Sequence, residues 1–195
     1  MKPIRLAAIA AFAAIAALAF NPARAIEVDG YRFDDTLKLG NADLVANGAG
    51  IRSKFGRRYA MALYLPAKSD DAKTVLATKG PKRIAITLIR DVDGDTFADA
   101  VSKGINNNSG DAEKGALKAR VAQLVATVTA LGEIKAGASI VFDWLPERGT
   151  VLTINGQQKG GDIAGEDFYV ALLKVWLGED PVQGDLKRGL LGKAG

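Results

Sequence analysis

Alternating apolar and polar positions predict a β-hairpin early in the chain. From Tyr59 to Leu65 every second side chain is large and apolar, which is the period-two pattern of a strand in a sheet. We predict that this strand, residues 58–65, pairs with a first arm at 45–53 across a turn at 54–56. The glycines of the first arm would let a neighbouring backbone or a ligand come close.

Hydrophobic periodicity predicts further strands and helices after the hairpin. The strand patterns lie at 82–90, 139–145 and 149–154, and the hairpin turn signal Asn155-Gly156 predicts 157–163 as an antiparallel partner of the last. The helical patterns lie after Ser69, over 96–105, from Asp111, from Glu166 and over 185–191. Ser69 and Asp95 are the expected N-terminal caps of the first two helices. This order of elements favours an α+β domain, with an antiparallel sheet and helices packed on one of its faces.

The first 25 residues have the pattern of a secretory signal peptide. A basic start is followed by an apolar run of 15 residues, Leu6 to Phe20, and by Ala23-Arg24-Ala25 as a cleavage site. We therefore expect a domain at 26–195 in a periplasmic or secreted protein, with no membrane-spanning segment after cleavage. Retention of the apolar run as an N-terminal anchor is the alternative.

Composition narrows the chemistry that the chain can perform. The chain has no cysteine and no histidine, which excludes Ser-His-Asp triads, Cys-His pairs and the usual zinc sites. Three of its 26 basic residues lie in the signal peptide, which leaves 23 against 22 acidic residues. A nearly neutral domain argues against a nucleic-acid partner. No stretch has a phosphate loop or a dinucleotide fingerprint, so we predict neither a cofactor nor a metal site.

Arg52 is a cation in an apolar hairpin, and its orientation depends on the length of the turn. A turn of two or four residues pairs Arg52 with Tyr59 on one face and makes a small anion site. A turn of three residues pairs Ile51 with Tyr59 and directs Arg52 to the other face. The alternative to an anion site is a surface arginine at a strand end that extends its head group into solvent.

Three stretches together resemble the chalcone isomerase-like family. They are residues 47–52 followed by 59–65, residues 149–156, and residues 168–178 followed by Pro181 and 185–192, and the match extends over nearly the whole predicted domain. The third is the most specific, because an aromatic residue, Ala-Leu-Leu, Trp-Leu-Gly, proline and Leu-Leu-Gly follow in that order. The exported bacterial members fit best. The resemblance implies an open-faced β-sandwich, in which helices back a large antiparallel sheet, and a pocket between sheet and helices near the hairpin.

The resemblance also implies roles for Arg52 and Tyr59. In the isomerases, an arginine at the position of Arg52 holds a phenolate that closes a ring onto an unsaturated ketone. Fatty-acid-binding members hold a carboxylate with an arginine and a tyrosine, and Arg52 and Tyr59 match that pair. The chain departs from the plant isomerases on one helix, where Phe97, Ala100 and Gly104 replace polar residues.

These observations lead to alternative functional hypotheses. The leading one is an exported, non-catalytic protein that binds a fatty acid or a similar amphipathic carboxylate through Arg52 and Tyr59. The second is an intramolecular lyase that closes the ring of a phenolic enone, with Arg52 as its catalytic cation. A third is a partner-binding envelope protein with a vestigial pocket. The first two share a small amphipathic ligand, and the sequence does not give the oligomeric state.

Overall fold

A computed structural model describes residues 25–193. Its strands are β1 (Ala25–Val28), β2 (Tyr31–Asp34), β3 (Thr36–Leu39), β4 (Ala42–Ser53), β5 (Arg57–Leu65), β6 (Lys82–Leu88), β7 (Val92–Asp93), β8 (Glu133–Ile134), β9 (Ser139–Leu145), β10 (Gly149–Ile154) and β11 (Gln157–Ile163). Its helices are α1 (Ala72–Ala77), α2 (Gly94–Asn107), α3 (Asp111–Thr129), α4 (Glu166–Leu177) and α5 (Gly184–Leu190).

Seven strands form one curled antiparallel sheet in the order β11-β10-β9-β6-β5-β4-β3. The predicted bounds of β9, β10 and β11 are confirmed. The last two strands are joined by Asn155 and Gly156, which have φ angles of 49° and 76°. Positive φ at both central residues is the geometry of the tightest hairpin turns, and the Asn-Gly pair adopts it readily.

The sheet divides the buried apolar residues into two cores. The larger core lies between the sheet and the helices and includes Leu63, Ile84 and Phe142 from the strands and Leu172 and Trp176 from α4. The smaller core lies on the other face, where the β1–β2 hairpin covers part of the sheet. The helices therefore pack on one face of a large antiparallel sheet, and the predicted α+β class is confirmed.

Two of the predicted helix caps are wrong. Asp71 caps α1 in place of Ser69, because its carboxylate accepts a hydrogen bond from the Thr74 backbone N–H at 2.8 Å. Helix α2 begins at Gly94 after Asp93, so Asp95 lies within its first turn. There Asp95 is placed favourably for the helix dipole.

The predicted strand at 82–90 ends at Leu88, two residues early. The chain turns there toward the short β7–β8 pair. Residues 1–24, which carry nearly all of the predicted signal peptide, lie outside the described part of the chain. Between residues 25 and 193, no helix has the length and hydropathy needed to cross a membrane.

Candidate functional site

A cavity of about 360 Å³ lies between the tip of the β4–β5 hairpin, the end of β6 and helices α2 and α4. This volume is at the lower end of the range for small-molecule sites, roughly 300–1,000 Å³. The interior is apolar and is lined by Leu88, Phe97, Val101, Val175 and Val182. Arg52, Tyr59 and Trp176 form a polar end, since Arg52 pairs with Tyr59 across the strands and the Trp176 N–H bonds the Tyr59 hydroxyl. An apolar cavity with a polar end fits an amphipathic molecule.

Arg52 contributes a partly free guanidinium to the polar end. Its Nη1 donates to the Ser53 carbonyl at 2.9 Å and to the side-chain oxygen of Gln183 at 3.1 Å. Within residues 25–193, its Nε and Nη2 groups have no hydrogen-bond partner. Of five guanidinium donors, three are therefore free in a fixed plane, which is the arrangement that binds a carboxylate through two parallel hydrogen bonds.

Gln183 holds Arg52 in position. It is the residue before α5, and its Oε1 also accepts a hydrogen bond from the Ser53 backbone N–H at 2.8 Å. Its Nε2 donates to the Ile51 carbonyl at 3.2 Å. One amide thus joins the end of β4 to the start of α5 and occupies one edge of the Arg52 guanidinium.

Tyr59 contributes a neutral hydroxyl beside Arg52. The Trp176 indole N–H donates to the Tyr59 oxygen at 2.8 Å. Nothing in the described part of the chain accepts the phenolic proton, so the hydroxyl is free to donate one hydrogen bond. Burial raises the pKa of Tyr59 to about 12, although the bond from Trp176 and the charge of Arg52 act in the opposite direction. Tyr59 is therefore a hydrogen-bond donor, and not an anion, at ordinary pH.

The mouth of the cavity is basic. Lys54, Arg58 and Arg90 line it together with one acidic residue, Asp91. Asp91 is already engaged, since its carboxylate bonds Lys135 at 3.1 Å and the Ala136 backbone N–H at 2.8 Å. These bonds hold the pKa of Asp91 below its usual range. The mouth therefore favours an anion.

Arg52 and Tyr59 are paired directly across β4 and β5. The turn itself has three residues, because Ser53 pairs with Arg57. That length would direct Arg52 away from Tyr59, but Arg58 is an extra residue in β5 and forms a β-bulge. The bulge shifts the register by one position and places both side chains at the same cavity.

The helix positions that depart from the isomerases are divided between two environments. Phe97 and Ala100 line the cavity, so these two positions offer apolar groups there, and Thr96 is the polar α2 residue in the lining. Gly104 packs against Val175, and a Cβ atom at Gly104 would be 2.7 Å from a Val175 methyl group. Asn107 and Asn108 bond Asp180 and lie outside the cavity lining.

A larger groove of about 740 Å³ lies between β1, β4 and residues 189–193. Its buried polar side chain, Asn47, is fully engaged, since it donates to the Ser69 and Leu190 carbonyls and accepts from the Ser69 N–H. Its charges, Lys68 and Lys193 against Glu27 and Asp70, balance. The smaller cavity is the better candidate site, because its lining has free hydrogen-bond donors and an excess of positive charge.

A sequence profile described as chalcone isomerase-like matches residues 25–192, nearly all of the described chain. The chain belongs to the chalcone isomerase-like family. This chalcone isomerase-like protein is also similar in fold to the Arabidopsis thaliana fatty-acid binding protein, with a TM-score of 0.61. The two share 14% sequence identity, and the similarity covers 86% of this chain and 96% of the plant protein. No curated protein sequence matches the chain significantly.

Three residues of the site in this chalcone isomerase-like protein are not predicted by the sequence. The spacing of Trp176 on α4 predicts only a core residue, and it is buried, yet its N–H bonds Tyr59. Gln183 and Arg90 stand outside any motif. Their roles come from contacts across the fold, 131 residues apart in the case of Gln183 and Arg52.

Proposed function

We propose that this protein binds a small amphipathic carboxylate, such as a fatty acid, in the cavity between the hairpin and helices α2 and α4, without transforming it. The observation that carries the proposal is the free edge of the Arg52 guanidinium beside the free hydroxyl of Tyr59, at the polar end of an apolar cavity. The name of the structurally similar plant protein supports the same ligand class. Arg52 and Tyr59 receive the carboxylate, and the apolar walls receive the chain.

The two parts of the ligand contribute differently to binding. A hydrogen bond to a charged group contributes about 1.5–3 kcal/mol. Each buried methylene contributes about 0.8 kcal/mol, so a chain of several methylenes outweighs the head group. The chain therefore determines most of the affinity, and Arg52 determines the orientation and the preference for an acid.

The apolar face of α2 favours binding over catalysis. Ring closure of a phenolic enone needs polar groups at the ketone as well as a cation at the phenolate. Apart from Thr96 in its first turn, the α2 residues that line the cavity, Phe97, Ala100 and Val101, offer no such group. The expected result is therefore no Arg52-dependent loss of chalcone absorbance, and turnover abolished by Arg52→Ala would contradict this part of the proposal.

A matched pair of ligands tests the head-group site. We expect decanoate to bind more tightly than decanol, with tryptophan fluorescence as the readout because Trp176 lines the cavity and the other tryptophan, Trp144, does not. Arg52→Ala should weaken decanoate binding about 10- to 100-fold and leave decanol nearly unchanged. Arg148→Ala is the control, since Arg148 pairs with Asp162 outside the cavity lining. Equal losses for both ligands, or no binding of either, would contradict the proposal.

Export is the remaining part of the proposal and is supported by the pattern of residues 1–25. N-terminal sequencing of the isolated protein tests it, because cleavage after Ala25 leaves Ile26 as the first residue.

A further inference from the structure

The tip of the β4–β5 hairpin exposes an aromatic ring. Phe55 is 87% exposed and is the one large apolar side chain left exposed within residues 25–193. Its φ angle is 54°, a region that is unfavourable for a bulky residue. Backbone strain of this kind is found where function requires it. Packing within the protein does not explain the ring, since it has almost no cover.

Basic side chains surround this ring. Lys54, Arg57 and Arg58 are its neighbours in the hairpin, and the Arg90 guanidinium lies against Gly56, where a Cβ atom would be 2.7 Å from its Nη2. Arg57 pairs with Asp29 at 2.8 Å. In the described ranges, Lys54, Arg58 and Arg90 form no ion pair. The domain as a whole is nearly neutral, with 23 basic and 22 acidic residues, so the positive charge here is local.

An exposed aromatic ring beside cations that form no ion pair among the described residues is complementary to the surface of an anionic bilayer. Aromatic rings settle at the boundary between head groups and acyl chains, and nearby lysine and arginine side chains attract the lipid phosphates. A protein partner fits less well, because a stable protein interface buries about 1,200–2,000 Å² in total, more than a five-residue tip offers. We propose that residues 54–58, with Arg90, dock this protein onto anionic phospholipid membranes.

Docking at the tip would turn the cavity toward the bilayer. Lys54, Phe55, Arg58 and Arg90 line the mouth of the same cavity. An amphipathic molecule could then move between the membrane and the cavity with little exposure to water. The docking itself needs no ligand in the cavity, so it stands or fails separately from the proposed binding function.

Co-sedimentation with vesicles tests the proposal on the protein as isolated from its host. We expect binding to phosphatidylglycerol-containing vesicles, little binding to phosphatidylcholine vesicles, and weaker binding as the salt concentration rises. Phe55→Asn should lower the partition coefficient about tenfold. Lys54→Ala and Arg58→Ala should each lower it about fivefold. Arg148→Ala is the matched control and should change it little.

Phe55→Asn is chosen because asparagine tolerates a positive φ, so the hairpin should keep its shape. Phe55→Trp gives a second readout, since an inserted indole shifts its fluorescence to shorter wavelength only with anionic vesicles, once the emission of Trp144 and Trp176 in the wild type is subtracted. The proposal is overturned if the wild-type protein ignores anionic vesicles. It is equally overturned if Phe55→Asn binds as the wild type does, or if the Phe55→Trp emission stays that of an indole in water while the protein sediments.

Discussion

At the scale of single residues, the site depends on which donors of Arg52 are already used. Gln183 and the Ser53 carbonyl accept hydrogen bonds from Nη1 and leave Nε and Nη2 without a partner in residues 25–193, and Arg52 lines the cavity. An arginine held on one edge and free on the other is oriented before a ligand arrives. Less side-chain entropy is then lost on binding, which is why such preorganisation raises affinity.

This arrangement makes Gln183 a positioning residue, and it predicts the direction in which a negative charge at this position changes ligand affinity. Gln183→Glu replaces a neutral acceptor with a carboxylate, which should pair with Arg52 and compete with the ligand. We expect weaker binding of decanoate by about tenfold, with decanol affected much less. Isothermal titration of both ligands measures the effect.

The matched control is Gln183→Ala, which removes the acceptor without adding a charge. It should weaken decanoate binding less than Gln183→Glu does. If the two variants weaken decanoate binding equally, Gln183 acts only by joining β4 to α5. The guanidinium of Arg52 is then not the group that binds the carboxylate.

Tyr59 gives a prediction for alkaline pH. Burial raises the pKa of Tyr59 from 10.0 to about 12, so the folded protein keeps a proton that the unfolded chain loses. Stability is therefore full below pH 10 and falls as the pH rises from 10 to 12. Tyr64 has the same raised pKa of about 12, and burial raises the pKa of Tyr169 as well. Urea unfolding at increasing pH measures the loss.

Tyr59→Phe isolates the share of one residue in this pH dependence. The variant should lose less stability across that pH range than the wild type, by about 1–3 kcal/mol. At neutral pH it should be less stable, because the Trp176 N–H is left without its partner. An unchanged pH dependence would show that Tyr59 ionises in the folded protein as freely as in water.

The sequence indicates the two candidate ligand-binding residues that line the cavity, but it does not indicate Trp176 and Gln183, which hold them in place. Arg52 stands out because it is a cation in an apolar hairpin, and Tyr59 because one of the possible registers pairs it with Arg52. The helical spacing of Trp176 indicates a core residue, and that spacing is the same whether or not a partner for its N–H lies opposite. Gln183 has no local signature at all, since its role is a contact across 131 positions.

At the scale of elements, the β-bulge in the β4–β5 hairpin determines that Arg52 and Tyr59 lie on the same face. A three-residue turn alone would place Arg52 and Tyr59 on opposite faces, and the extra residue Arg58 restores their pairing. The sequence leaves both registers open, because turn length and bulge compensate for one another and neither is visible in the periodicity.

The close packing of helix α5 on β4 leads to a prediction about Gly48. It lies so close to β4 that a Cβ atom at Gly48 would overlap the Gly189 carbonyl oxygen. Because the obstructing atoms are backbone, Gly48→Ala should displace α5 and destabilise the protein by about 1–3 kcal/mol. It should also weaken ligand binding, since Gln183 precedes α5. Chemical denaturation and the decanoate titration measure the two effects.

Gly115→Ala is the control for the Gly48 substitution. Gly115 lies in α3, where an added Cβ atom would have no neighbouring atom within 4 Å. The same replacement there should stabilise the helix by about 0.5–1 kcal/mol. Equal effects at both positions would mean that the contact between β4 and α5 is not tight.

Element boundaries follow from the sequence only where one signal is decisive. The alternating side chains of β9 define that strand, and the Asn155-Gly156 turn fixes where β10 ends and β11 begins. The predicted caps of α1 and α2 are wrong because neighbouring residues, Ser69 and Asp71 or Asp93 and Asp95, are equally able to cap. The choice between them depends on where the rest of the fold places the first turn.

At the scale of the whole molecule, the chain builds a sheet that is covered unequally on its two faces. The helices bury the larger core, and the cavity lies at one end of that core, where the hairpin tip, α2 and α4 meet. This position joins an apolar interior to a basic rim. The family can be recognised from sequence because its motifs form this sheet and α4, whereas the depth of the cavity depends on packing.

The most direct test of the account is mass spectrometry of what the protein retains when it is isolated from its host without denaturation, for the wild type and Arg52→Ala side by side. We predict an aliphatic carboxylic acid bound to the wild type and largely lost from Arg52→Ala. Wild-type protein that carries no acid, or an acid that both proteins retain equally, would contradict the claim that Arg52 and Tyr59 form a carboxylate site.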